Sequence, residues 1–249
     1  MEDFAGKRAL ITGAASGIGR ATAIRLASGG AQLVIADVNR DGLQETADLI
    51  GEGATTVTYD AADNASCREL VEKASTNGLD IMCNIAGVLD WAATEEFTEE
   101  RFERVVRINL LSVYTLCRAA LPHLVESKGA IVNMASTAGL LGIAYSTAYA
   151  ASKHAIVGLT KSLALEYAKR EVRINAVAPG QVNTAMGNQA PPENADTLDW
   201  ALVMRNVPKL ASGAADPADI AEAVAFLASD KARKITGTIF NVDCGQNAG

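Results

Sequence analysis

KRALITGAASGIG, residues 7–19, decides the fold. Residues 7–12 are a short apolar run bounded by charge on one side and glycine on the other, the pattern of a strand buried on both faces of a parallel sheet. Gly13, Gly17 and Gly19 follow at once, and Ile18, Ala21, Ile24 and Leu26 suit a helix over 17–28. Strand, glycine loop and helix together bring backbone N–H groups and the positive end of a helix against an anion, for which a pyrophosphate is the natural candidate. The spacing is G-x-x-x-G-x-G rather than G-x-G-x-x-G, so a glycine-rich turn without a ligand stays open as the alternative.

The same alternation continues down the chain. Residues 31–36 (AQLVIA) form a second buried run that ends in Asp37, roughly 20 residues past the glycine loop. A carboxylate there can accept hydrogen bonds from ribose hydroxyls and would repel a 2′-phosphate, which favours NAD over NADP; Arg40 close by weakens that exclusion. Further strands are expected at 55–59, 79–85, 129–134, 172–178 and 237–242, and helices at 42–50, 64–76, 98–125, 149–169 and 216–229. Thr98 reads as a helix cap, Pro217 as a first helical residue, and Pro122 as a disturbance late in the 98–125 helix. Asp60, just past the third strand, reads by spacing as a turn residue. Residues 187–212, with three prolines, interrupt the alternation and read as a substrate-covering loop. No linker or repeat divides residues 1–249, so one doubly wound domain is expected, with a parallel sheet of about seven strands flanked by helices.

Composition narrows the function. With 49% hydrophobic and 20% charged residues and a net charge of -7, the chain is neither disordered nor suited to a nucleic-acid surface. Cys67, Cys83, Cys117 and Cys244 form no C-x-x-C pair and the only histidines are His123 and His154, so no metal site is expected, and reduced thiols in the cytoplasm are the default. The N-terminus lacks the basic and apolar regions of a secretory signal. Residues 129–152 carry no charge, yet Asn133, Ser136, Thr137, Ser146, Thr147 and Ser152 make them a poor membrane span and a better buried functional segment.

That uncharged segment delivers the chemistry. Ser136 falls just past the fifth strand, on the edge where open parallel sheets bind ligands. Tyr149 and Lys153 stand at i and i+4, so on a helix they share a face. Reducing a ketone needs a proton donor to the developing alkoxide, and oxidising an alcohol needs the same group as base. Bringing a tyrosine from pKa about 10 to near 7 takes roughly 4 kcal/mol. An ammonium about 4 Å away at an effective dielectric near 20 supplies about that much.

Taken together, these residues resemble the classical short-chain dehydrogenase/reductases over essentially the whole length. Thr12-Gly13-Ala14-Ala15-Ser16-Gly17-Ile18-Gly19 is similar to the family's T-G-x-x-x-G-x-G motif, Tyr149 to Lys153 to its Y-x-x-x-K motif, and Asn109 and Ser136 fall at matching positions. The resemblance implies a Rossmann fold and a catalytic tetrad of Asn109, Ser136, Tyr149 and Lys153, with Asn109 holding a water in a relay through Lys153. It implies cofactor contacts from Gly13, Ser16, Gly17, Ile18, Gly19, Asp37, Asp60, Ala61, Asn84, Ala86, Gly87, Tyr149, Lys153, Pro179, Gly180, Val182 and Thr184. Asp60 would then approach the adenine, and Pro179, Gly180, Val182 and Thr184 the nicotinamide amide. The family's N-N-A-G is here Asn84-Ile85-Ala86-Gly87, and its V-D-G-G is Val242-Asp243-Cys244-Gly245.

The expected function is hydride transfer between NAD(H) and a secondary alcohol or ketone. An NADPH-dependent 3-oxoacyl reductase is the alternative, and a cofactor-sensing binding protein, which would not need the tetrad, a third reading. Two helices apolar all round suggest a helix-mediated homo-oligomer, and the resemblance implies a homotetramer. Trp200, Leu202, Val203 and Met204 could wall an apolar substrate pocket or simply pack a core; Arg205 reads as a solvated charge or a partner for a substrate carboxylate.

Overall fold

The structure is a computed structural model that describes residues 3–189 and 195–248. Seven parallel strands form one sheet in the order β3-β2-β1-β4-β5-β6-β7. They are β1 (Arg8–Thr12), β2 (Gln32–Asp37), β3 (Ala54–Thr58), β4 (Ile81–Asn84), β5 (Ala130–Met134), β6 (Arg173–Pro179) and β7 (Ile239–Val242). β1, β4 and β5 are buried almost throughout, as their unbroken apolar runs require. On one face α1 (Gly17–Ser28) packs against α8 (Pro217–Ala228), with α2 (Arg40–Ile50) beside α1. The core there includes Leu26, Ile35, Ile220, Val224 and Leu227. On the other face α3 (Asn64–Ala74), α5 (Ser112–Ser127) and α6 (Thr147–Tyr167) bury Leu70, Leu116, Leu124, Ile131 and Ile156. Each of these side chains contributes about 1.5–3 kcal/mol by leaving water.

After β3 the chain crosses back to lay β4 beside β1, so the strand order reverses between β1 and β4. That reversal opens a crevice past their C-terminal ends. Gly13 stands in it at φ +71°, where a Cβ would lie 2.8 Å from the amide nitrogen of Ala86. Only glycine lets the two loops approach so closely.

Two features differ from the sequence reading. Pro122 does not disturb the late part of its helix: α5 runs through it to Ser127, and Leu121 and Leu124 on either side are buried. Packing of that face outweighs the loss of one backbone bond. Between α4 (Glu99–Val106) and α5, residues Arg107–Leu111 widen into a π-helical turn, which carries Asn109. Apolar periodicity does not register one extra residue in a turn, and such turns recur at functional sites.

The helical stretch Glu99–Ser127 is long and apolar enough to cross a membrane by length and composition, but its buried side chains pack on the sheet.

Candidate active site

The cleft past the sheet's C-terminal edge encloses about 870 Å³. Its floor is the glycine loop. Ser16 is extended and makes no side-chain cap to α1, so the first N–H groups of that helix have no side-chain acceptor. The loop is held from behind: Arg20 donates to the Ala15 carbonyl at 2.6 Å, and Thr46 Oγ1 to the Ala14 carbonyl at 2.8 Å. Asp37, at the end of β2, accepts from Ala15 N at 3.2 Å and Asn39 N at 3.0 Å. Its carboxylate is thereby fixed beside the glycine loop. Asp60 accepts from Ala62 N at 2.8 Å, the turn its spacing predicts, and also lines the cleft with Ala61.

Of the residues expected at the cofactor, Gly13, Ser16, Gly17, Ile18, Gly19, Asp37, Asp60, Ala61, Ala86, Gly87, Tyr149, Lys153, Pro179, Gly180, Val182 and Thr184 all line this cleft. Thr184 closes over the glycine loop, its Cγ2 only 3.1 Å from where a Cβ on Gly17 would stand. Asn84 is not among the lining residues. Its side chain turns into the core, where Nδ2 donates to Asn133 Oδ1 at 2.8 Å, and Asn133 Nδ2 in turn donates to Thr160 Oγ1 at 3.0 Å. The two asparagines lie opposite each other in the β4–β5 register, so their amides meet inside the sheet layer.

Ser136 and Tyr149 also line the cleft, with Lys153 behind them. Ser136 Oγ accepts from Ala138 N at 3.1 Å. Lys153 is buried and donates to the carbonyl of Met134 at 2.8 Å, with Nζ 5.5 Å from the Tyr149 ring centre. Burial pushes its pKa down to about 8. Burial also pushes the Tyr149 phenol above its usual value, opposed by hydrogen bonding with Ser136. Desolvation is the larger of the two effects on the phenol, and the hydrogen bond of Lys153 goes to a carbonyl and not to Tyr149. Asn109 does not line the cleft; Oδ1 accepts from Val88 N at 2.8 Å, and Nδ2 donates to Val88 O at 2.9 Å and Ser152 Oγ at 3.2 Å. It clamps the 85–88 turn to the helix that carries Tyr149 and Lys153.

From the segment expected to cover the substrate, Gly187, Asn206 and Val207 are in the cleft wall. Val203 and Met204 line it, whereas Trp200 and Leu202 are more than a third exposed and Arg205 is exposed, all three outside the lining. Neither a pocket wall nor a packed core describes Trp200 and Leu202. Sequence reasoning missed Trp91, Ile143, Met186 and Gln246 in the lining. The first two adjoin N-I-A-G and the uncharged segment, and their bulk beside those motifs was an available signal. Gln246 had none.

A glycine-floored cleft on a doubly wound sheet, with a serine, a tyrosine and a lysine at its wall, defines an oxidoreductase of the dinucleotide-binding kind. The family model described as enoyl-(acyl carrier protein) reductase matches residues 13–247. A cyclohexanol dehydrogenase from Acinetobacter sp. (strain SE19) is 39% identical, covering 96% of this chain and 94% of its own. A 3-oxoacyl-[acyl-carrier-protein] reductase from Thermotoga maritima is 34% identical, covering 96% and 97%. A solved short-chain dehydrogenase from Mycobacterium paratuberculosis bound to NAD superposes with TM-score 0.93 at 32% identity, covering 99% of this chain and 100% of that one. A chain from Beutenbergia cavernae described as an NAD(P)-dependent gluconate 5-dehydrogenase, solved with NADP at low occupancy, has TM-score 0.90 at 36% identity, covering 100% and 99%. The chain belongs to the short-chain dehydrogenase/reductase family.

Proposed function

We propose that this protein transfers a hydride between NAD(H) and a secondary alcohol or its ketone. The observation that carries the reading is the convergence of Ser136, Tyr149 and Lys153 on one cleft whose floor is an uncapped helix N-terminus. The residues present fit a dinucleotide. Gly13 leaves room for its close approach, the α1 amides suit its pyrophosphate, and Asp37 suits its ribose. When bound, the nicotinamide supplies the hydride and, in its oxidised form, a positive charge near the phenol.

The chain's own residues handle the proton. Tyr149 Oη gives a proton to the substrate oxygen in reduction and takes it in oxidation. Ser136 Oγ donates a hydrogen bond to the same oxygen and fixes its distance. Lys153, held by the Met134 carbonyl, keeps an ammonium behind the phenol at pH values below about 8. Asn109 keeps the 85–88 turn and the catalytic helix in register, a positioning role for its side chain.

The walls opposite the glycine loop are mostly apolar, with Ala138, Ile143, Met186, Val203, Met204 and Val207. They suit an uncharged substrate body, consistent with a relative named for cyclohexanol. The NADPH-dependent 3-oxoacyl reductase reading draws support from exposed Arg40 near Asp37, from the NADP-containing neighbour and from the Thermotoga relative. Asp37, anchored by Ala15 N, favours NAD. A panel of ketones and secondary alcohols, followed by NADH and NADPH absorbance, tests the reading. Turnover of neutral ketones with NADH is expected; no turnover of any member refutes it.

The reading extends to a cytoplasmic homotetramer. Leu111, Tyr114 and Leu165 present 39%, 49% and 82% of their surfaces on the outer sides of the helical layer, an apolar face suited to a second copy. Light scattering at micromolar concentration is expected to give four times the chain mass, and a monomer would refute it.

A further inference from the structure

The stretch 199–206, whose Val203 and Met204 line the cleft, is tied down at both ends by groups outside it. At its far end Gln246 Nε2 donates to the carbonyl of Asn206, while Gln246 Oε1 accepts from Gln181 N at 2.6 Å. At its near end the phenol oxygen of Tyr145 accepts from Asp199 N at 2.8 Å. Asp199 in turn caps the short helix α7 (Trp200–Val203), its carboxylate accepting from Ala201 N at 2.9 Å.

Tyr145 also reaches the third wall. Its carbonyl accepts from Ala92 N at 2.9 Å, in the loop whose Val88, Leu89 and Trp91 line the cleft. Ile143, Ala144 and Ser146 around it line the cleft, whereas Tyr145 does not. It stands four residues before Tyr149, just ahead of the start of α6.

The backbone of Tyr145 lies at φ +61°, in the left-handed region. For a residue with a Cβ this conformation is costly, and glycine occupies it freely. A bulky tyrosine kept there implies a gain made by its side chain, and the phenol's partner is Asp199 N in the covering segment. We propose that Tyr145 is a positioning residue that latches the covering segment to the catalytic loop and so sets Val203 and Met204 against Tyr149. The proposal rests on the reading that this cleft turns over a carbonyl or alcohol substrate.

Tyr145→Phe keeps the ring and removes the bond to Asp199 N. KM for the best ketone of the panel is expected to rise about 3- to 10-fold, the size of one neutral hydrogen bond. The kcat and NADH affinity should stay within twofold. Amide exchange over residues 196–204 should accelerate by a similar factor, and exchange over residues 150–160 should not change. Tyr145→Gly, which fits the backbone but also lacks the phenol, should show the same rise in KM and an unfolding temperature no lower than that of Tyr145→Phe. The latch is overturned if KM stays within twofold, if exchange over 196–204 is unchanged, or if kcat and NADH affinity fall together with KM. Exchange is read without substrate, so an inactive wild type would refute the functional reading while the latch is still decided by exchange alone.

Discussion

Lys153 donates its hydrogen bond to the Met134 carbonyl and not to Tyr149, whose ring centre lies 5.5 Å from Nζ. The ammonium therefore stands over the face of the ring, and its hydrogen bond is spent on the backbone. Burial holds the phenol above its usual pKa, opposed by the hydrogen bond with Ser136.

Replacing Tyr149 by Phe removes the proton carrier and little else. Turnover should fall by at least about a thousandfold, within the range that a positioned acid or base supplies. NADH binding, read by protein fluorescence, should change less than threefold. Retained turnover would sink the assignment of Tyr149 as the acid.

Lys153 also leaves a mark on stability. Its folded pKa of about 8 lies below the ordinary lysine value of 10.5, so the fold disfavours its charge. Below pH 8 both folded and unfolded chains hold the proton and the full penalty is present. Between pH 8 and 10.5 the folded chain releases it first, and the penalty fades as pH rises. Lys153→Met carries no such penalty, so wild type should gain on the variant by up to about 3 kcal/mol across that window. Urea midpoints at pH 7, 9 and 10 measure the gap; a gap independent of pH would contradict the burial. The comparison cancels the contribution of Cys83 and Cys117, whose thiols burial pushes up to about 12.

Asp37→Ala tests cofactor choice. Removing the carboxylate proposed to face the ribose should raise the NADPH to NADH ratio of kcat/KM at least about tenfold. The same change strips Ala15 N of its acceptor, so stability should fall by about 1 kcal/mol. An unchanged ratio would separate Asp37 from cofactor choice and strengthen the NADPH-dependent alternative.

Much of this architecture could be read from residue order. Short apolar runs flanked by glycine or acid are what buried parallel strands demand, and residues 17–28 became α1 with the same bounds because Gly17 and Ser28 flank an uninterrupted helical pattern. Ser136, Tyr149 and Lys153 met because strand ends and helix starts share one edge of such a sheet. What stayed hidden depended on single atoms. The Met134 carbonyl that holds Lys153, the π-helical turn at Asn109 and the left-handed backbone of Tyr145 leave no periodic trace. The orientation of Asn84 is hidden for a related reason: a motif fixes a residue's position along a strand, whereas the amide of Asn133 opposite decides where its side chain turns.

Cys244 stands at φ +52° beside Gly245, and its carbonyl accepts from Lys209 N at 2.8 Å and Leu210 N at 3.1 Å. Those bonds belong to the backbone and survive substitution. Cys244→Gly should therefore relieve left-handed strain of about 1–2 kcal/mol, offset in part by the lost contact of the half-buried thiol with the core. A net gain of about 0.5–1 kcal/mol in urea unfolding is expected. Cys67, Cys83 and Cys117 are buried, so the same variant should also abolish thiol labelling of the native protein.

Asn84 gives the sharpest separation between holding the cofactor and holding the sheet. Its amide joins Asn133 and Thr160 in a buried chain, and its Oδ1 is itself without a protein partner. Asn84→Ala leaves Asn133 Oδ1 short of its donor in the core, which should cost about 1–3 kcal/mol. Because the side chain does not line the cleft, NADH affinity at a temperature where the variant is folded should stay within threefold of wild type. If affinity instead falls tenfold or more while the urea midpoint holds, Asn84 acts on the cofactor and not on the sheet. The two measurements then move in opposite senses, and one titration with one unfolding curve decides between them.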